Sequence, residues 1–183
     1  MIILASKSER RIELLKDANV NFKVVSSNIE ENLDNNLSPL ENVLNLAKLK
    51  ALNVFENNKE AIVIAADTIV LYDDKIFGKP KDNDDAFNML KELNNKTHKV
   101  ITAVCIKSKN REELFYNTTK VTFKNLSDFD ILNYINTKEP FGKAGSYAIQ
   151  GIGKNLIDTY DGDFFNVVGL PLKDVLEKLK LFE

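Results

Sequence analysis

Apolar and polar positions along this chain follow two rhythms. Between residues 39 and 55, Leu40, Val43, Leu44, Ala47, Ala51, Val54 and Phe55 recur at helical spacing. Ser38 suits a cap and Pro39 suits a first turn, so the pattern predicts a helix over Pro39 to Phe55. Residues 61 to 66 read AIVIAA, a continuously apolar run. A strand reads this way when both faces of its sheet are covered. Shorter strands are predicted at Ile2 to Ala5 and Phe22 to Val25. Ile69 to Tyr72 and Lys75 to Phe77 flank Asp73-Asp74 and predict a hairpin. Lys99 to Lys107 and Leu114 to Phe123 predict long paired strands.

Further helices are expected over Ser8 to Ala18, Asp82 to Leu93, Ser127 to Ile135 and Pro171 to Phe182. The first would turn Ile12, Leu14 and Leu15 inward, and the second Ala86, Met89, Leu90 and Leu93. Ser26 to Ser38 and the glycine-rich GKAGSYAIQGIG, residues 142 to 153, read as loops. Alternating strands and helices, with some strands adjacent, predict an α/β fold with a mixed central sheet.

A length of 183 residues suits one domain over 1–183, in one lobe or two. The formal net charge of −2 argues against a nonspecific nucleic-acid binder. A lone Cys105, inside the apolar run Val104-Cys105-Ile106, excludes a disulfide framework and fits a buried core residue in a reducing compartment. The start, MIILASKSERR, is too short and too soon charged for a signal peptide, and no apolar stretch approaches membrane-spanning length. The expectation is a cytoplasmic protein with no membrane or nucleic-acid partner.

Several stretches could carry chemistry. LASKSERR, residues 4 to 11, places hydroxyls and two arginines in a turn between a strand and a helix. Free N–H groups and the helix dipole favour an anion there. Ser6 and Ser8 could donate to phosphate oxygens, and Arg10 and Arg11 offer bidentate donors. In the alternative reading, Ser8 caps the helix and both arginines are solvated. Asp67 is expected to end the apolar strand, where a carboxylate can serve as general base or hold a metal ion. In FGKPKD, Gly78 allows close backbone approach and Lys79 offers a point charge. Glu31 in a loop and Lys50 on a helix are uninformative alone, because such side chains are usually solvated. His98 is the only histidine, which excludes a histidine-built zinc site. No G-x-S-x-G elbow accompanies it, and a structural hydrogen bond is expected. The glycine-rich stretch has neither Walker nor dinucleotide spacing. Gln150 within it could read the edge of a base.

The order of these stretches is more specific than any one of them. LASKSERRIELL, AADTIV, GKP, EPFGKAGSYAIQG and FFNVVGLPL form a series over essentially the whole chain. The series resembles the Maf family of nucleotide pyrophosphatases. That resemblance implies a fold similar to inosine triphosphate pyrophosphatase, with two lobes around a cleft. It also implies hydrolysis of a nucleoside triphosphate to monophosphate and pyrophosphate with Mg²⁺ or Mn²⁺, and a homodimer. Carried over by motif, Ser6, Ser8, Arg10 and Arg11 line the phosphate and sugar. Glu31, Lys50 and Lys79 match the acid and the two lysines of the site, and Asp67 matches the proton acceptor. Asp67 and Glu31 are the metal-ligand candidates. Arg10, Thr68 and Gln150 together resemble the branch acting on dTTP and UTP. The family's suggested roles are removal of noncanonical nucleotides and restraint of cell division. Three positions depart from the pattern: Glu9 for proline, Asn95 for glycine, and Gly142 for an aspartate. Gly142 keeps a competing reading open, a nucleotide-binding regulator of septum formation with little turnover. Other rivals are a pyrophosphatase preferring a modified purine triphosphate and a phosphatase releasing orthophosphate.

Overall fold

A computed structural model describes residues 1–182. The elements run β1 (Ile2–Leu4), α1 (Glu9–Asp17), β2 (Phe22–Val24), α2 (Pro39–Phe55), β3 (Ile62–Tyr72), β4 (Lys75–Phe77) and α3 (Asn83–Leu93). They continue with β5 (Thr97–Lys107), β6 (Glu112–Phe123), α4 (Asp128–Asn136), β7 (Ile157–Asp161), α5 (Phe164–Val168) and α6 (Leu172–Leu179). Strands pair in the order β2-β1-β3-β5-β6-β7, with β4 added to β3. β1 is parallel to β2 and β3, whereas β3–β4 and β6–β7 are antiparallel. The expected mixed sheet with helices is therefore present.

The chain divides into two compact units. The first holds residues 1–67, 102–117 and the segment from Gly169 onward. Its core includes Ile3, Leu4, Leu15, Val43, Ala47, Ala51, Val63, Ile64, Val104, Ile106 and Val175, all at most 2% exposed. The helix α2 forms where the periodicity predicts it. Ser38 accepts from the Glu41 amide while the Glu41 carboxylate accepts from the Ser38 amide, a complete capping box. Its inward stripe is Val43, Leu46, Ala47, Lys50, Ala51 and Val54. A lysine thus occupies a core-facing position, where the sequence alone suggested a solvated one.

The second unit holds residues 68–101 and 118–168. The β3–β4 hairpin turns at Asp73 (φ 45°) and Asp74 (φ 60°), two successive left-handed residues that match the twist of the strands. α3 is capped by Asp82, and α4 by a box of Ser127 and Asp130. A buried aromatic trio, His98, Phe123 and Tyr147, packs edge to face with centroids 4.8–5.4 Å apart.

Four expectations need correction, and two elements are additional. β3 does not stop at Asp67 but continues to Tyr72, because the backbone ladder tolerates a carboxylate whose charge is met from elsewhere. Ser8 occupies the cap position of α1 but makes no side-chain cap bond, and Ile12 is only half-buried. The segment 142–153 is not wholly loop, since Ala144–Ser146 and Gly151–Leu156 form 3₁₀ turns. β7 and α5 were not anticipated at all. Cys105 is buried as expected, and burial pushes its thiol up to about 12. No helix among the described residues is long and apolar enough to cross a membrane.

Candidate active site

In the first unit, four charged side chains meet. Lys50 Nζ lies 2.6 Å from Asp67 Oδ1 and 2.8 Å from Glu31 Oε1. The Lys50 and Asp67 side chains are 7% and 10% exposed, while Glu31 is 46% exposed. Burying an isolated charge is costly, so this placement is sustained by the pairing. Arg11 donates from Nε to the Gly169 carbonyl (2.7 Å) and from Nη1 to the Ala66 carbonyl (2.8 Å). It therefore grips the residue immediately before Asp67. Burial pulls the Arg11 pKa down from its ordinary value, against the opposing pull of Asp67. The formal charges of Arg11, Lys50, Asp67 and Glu31 cancel.

The local sequence explains each placement. Asp67 is fixed by the β3 ladder and Lys50 by the inward stripe of α2. Glu31 sits in the segment between β2 and α2, and that segment is tied down by α2. The buried Asn42 accepts from the Asp34 amide (2.8 Å) and donates to the carbonyls of Asp34, Leu37 and Ser38. Asn53 accepts from the Asn28 amide (3.0 Å). These two asparagines, missed from sequence, bracket Glu31 along the helix. The available signal was Asn42 itself, one turn before Leu46 on the inward stripe.

The LASKSERR turn takes a form that neither alternative fully described. Ser6 Oγ accepts from the Ser8 amide at 3.1 Å and from Arg11 Nη1 at 3.4 Å. The Ser8 side chain makes no cap bond to the first turn of α1. Amide donors at a helix N-terminus, flanked by hydroxyls and Arg10, suit an anion. Glu9 stands at the first helical position, where proline is favoured and where an acid also suits the dipole.

The remaining candidates belong to the second unit. Thr68 is half-buried on β3 and Lys79 is exposed after β4. The Gly78 carbonyl accepts from the Gly145 amide (3.0 Å), joining the GKP turn to the KAG turn. A Cβ on Gly145 would meet Val70 at 2.9 Å, so this approach requires glycine. Gln150 is half-buried and precedes the Gly151–Leu156 turn without capping it. His98 fulfils its structural expectation: buried, with Nε2 2.7 Å from the Tyr147 hydroxyl. Of the departures, Asn95 adopts φ 54°, a conformation asparagine tolerates in place of glycine. Gly142 adopts φ 75°, with nothing within 4 Å of a would-be Cβ. The structure thus gathers Ser6, Arg11, Glu31, Lys50 and Asp67 in one unit, with Thr68, Lys79 and Gln150 in the other.

A mixed α/β sheet of this kind is found in the solved structure of the Staphylococcus aureus Ham1 protein. The TM-score is 0.52 at 17% identity, over 85% of this chain and 79% of that one. The expected fold likeness therefore holds. Residues 1–182 match the family described as Maf-like protein, and the chain belongs to that family. It is 51% identical to a dTTP/UTP pyrophosphatase of Caldicellulosiruptor bescii, over 93% of this chain and 89% of the relative. It is 50% identical to one of Acholeplasma laidlawii, over 100% and 96%. A Bacillus velezensis dTTP/UTP pyrophosphatase is 49% identical over 99% and 96%.

Proposed function

We propose that this protein is a pyrophosphatase that hydrolyses dTTP and UTP to the nucleoside monophosphate and pyrophosphate. The observation that carries the reading is the convergence of Asp67 and Glu31 on the Lys50 ammonium, next to an uncapped helix start rich in phosphate donors. Relatives about half identical over nearly full length, named dTTP/UTP pyrophosphatase, support the substrate assignment.

Asp67 and Glu31 converge on one positive charge, which supports a divalent cation held jointly with the substrate. Among the described residues no group of three His, Cys, Asp or Glu could hold one without such help. Mg²⁺ is commonly held by one or two carboxylates, with water and substrate phosphates completing its shell. Asp67 and Glu31 would hold Mg²⁺ or Mn²⁺. When bound, the ion neutralises phosphate charge and polarises the phosphoryl oxygens.

The chain's own residues do the rest. Arg11 fixes the Ala66 carbonyl and hence the backbone at Asp67. Lys50 orients the Asp67 carboxylate through Oδ1, and that carboxylate takes the proton of the attacking water. The water oxygen bonds to the α-phosphorus, the α–β bridge bond breaks, and pyrophosphate leaves with the electron pair. Ser6, Ser8, Arg10 and the start of α1 bind the anionic substrate, with Lys79 as a further phosphate ligand. Thr68 and Gln150, with Arg10, discriminate the pyrimidine, because a polar site rejects a base that leaves its groups unpaired. The reading carries with it a cytoplasmic enzyme of the nucleotide pool, one functional domain over 1–183, working as a homodimer.

The test is a panel of nucleoside triphosphates with Mg²⁺, scored for monophosphate, pyrophosphate and orthophosphate, with a chelator arm. Cleavage of dTTP and UTP to monophosphates, abolished by chelation, is expected. Orthophosphate as the sole product, or tight binding without turnover, would overturn it.

A further inference from the structure

The Gly151–Leu156 turn has no acceptor of its own for its first amides. Gln150 stands at the cap position in an extended conformation (φ −85°, ψ 168°), yet its side chain makes no cap bond. The acceptor comes from Glu139, eleven residues before Gln150 in sequence. Its Oε1 accepts from the Ile152 amide (3.0 Å) and its Oε2 from the Gly153 amide (2.7 Å). A carboxylate bridging two successive amides fixes direction as well as distance. Space for it exists only because residue 151 is glycine. A Cβ there would lie 2.1 Å from Glu139 Oε1, and the backbone has φ 65°. On the other side of Gln150, the Ala148 amide donates to the Tyr134 hydroxyl (3.2 Å), and the Tyr147 hydroxyl bonds His98. The backbone is held at 148 and at 152–153 and the Tyr147 side chain is anchored, with Gln150 between.

We infer that Glu139, seated against Gly151, is a positioning residue that sets base selectivity by holding Gln150 in register for the pyrimidine. The inference rests on the dTTP/UTP reading above. Its logic is division of labour: with Glu139 supplying the cap, the Gln150 amide need not, and stays available for a base. Loss of the clamp lets the backbone at 151–153 shift, and displacement of a substrate-positioning group by about 1 Å can cost as much as 10²-fold.

The experiment measures kcat and KM for UTP and CTP in the wild type, Glu139→Ala, Glu139→Gln, Gln150→Ala and the Glu139→Ala/Gln150→Ala pair. Glu139→Ala should reduce the UTP-over-CTP preference about 10-fold, chiefly through KM for UTP, with kcat changed little. Glu139→Gln keeps one acceptor oxygen and should recover part of the preference. The double variant should be no less selective than Gln150→Ala, since both changes act through one side chain. If Glu139→Ala does not fold, Glu139→Gln and Gly151→Ala are read in its place, and each should lower the preference. A preference retained in these variants while activity falls equally on both substrates would overturn the inference alone. A wild type without preference for UTP would overturn the substrate reading, and the inference with it.

Discussion

The cluster around Lys50 and the turn around Gln150 are built in opposite ways. The first is ionic: the Lys50 ammonium, the Asp67 carboxylate and the Arg11 guanidinium sit on two helices and a strand, and the half-exposed Glu31 joins them from the segment before α2. The second is nearly all hydrogen bonds to backbone amides, on a segment with little regular structure. Charges that must be withheld from water need rigid carriers, since a small displacement leaves one of them unpaired at high cost. On the proposed reading Gln150 needs only a fixed position, and the amide bonds of its neighbours to Glu139 supply it. Damage to the first region should therefore abolish chemistry or stability. Damage to the second should redistribute selectivity.

The largest effect tests the first half of that contrast. Asp67→Asn should lower turnover about 10²–10⁴-fold for every substrate while leaving the fold intact by circular dichroism. Unchanged activity would remove Asp67 from the chemistry. Lys50→Met leaves Asp67 buried without its ammonium. It should cost about 3 kcal/mol in denaturant unfolding, at the low end for a broken buried pair because Glu31 is half in water.

The next prediction moves to the second region. His98 is buried with its pKa pushed down to about 4 by burial, from an ordinary 6.5. The unfolded chain takes up this proton first, so the contribution is intact above about pH 6.5 and is lost as pH falls toward about 4. Unfolding free energy should fall by about 1.4 kcal/mol per pH unit across that window on account of His98. His98→Gln, which does not titrate there, should flatten the slope by that amount. Parallel slopes in the two proteins would contradict the assignment. The smallest effect is at Ser38, where Ala removes a capping box at the start of the helix that carries Lys50. About 1 kcal/mol of stability should be lost, with selectivity untouched.

The same contrast explains what the sequence disclosed. α2 was legible end to end because a cap, a proline and a helical period agree at one place. Ser6, Arg11 and Asp67 stood out as residue types at a turn and on an apolar strand. The extent of β3 is hidden in the sequence because a polar residue interrupts its pattern, and the compensating lysine lies 17 residues earlier. β7 has no apolar run, with four of its five residues exposed, and α5 is too short to show a period. Asn42, Asn53 and Glu139 escaped notice for one shared reason. Each works by bonding backbone amides, which every residue possesses, so no partner residue type marks it.

The central claim is that water attacks the α-phosphorus and displaces pyrophosphate. Hydrolysis of UTP in ¹⁸O-labelled water, followed by mass spectrometry of both products, tests it most directly. The account predicts one ¹⁸O in the uridine monophosphate and none in the pyrophosphate. Label in pyrophosphate, or in released orthophosphate, would contradict it.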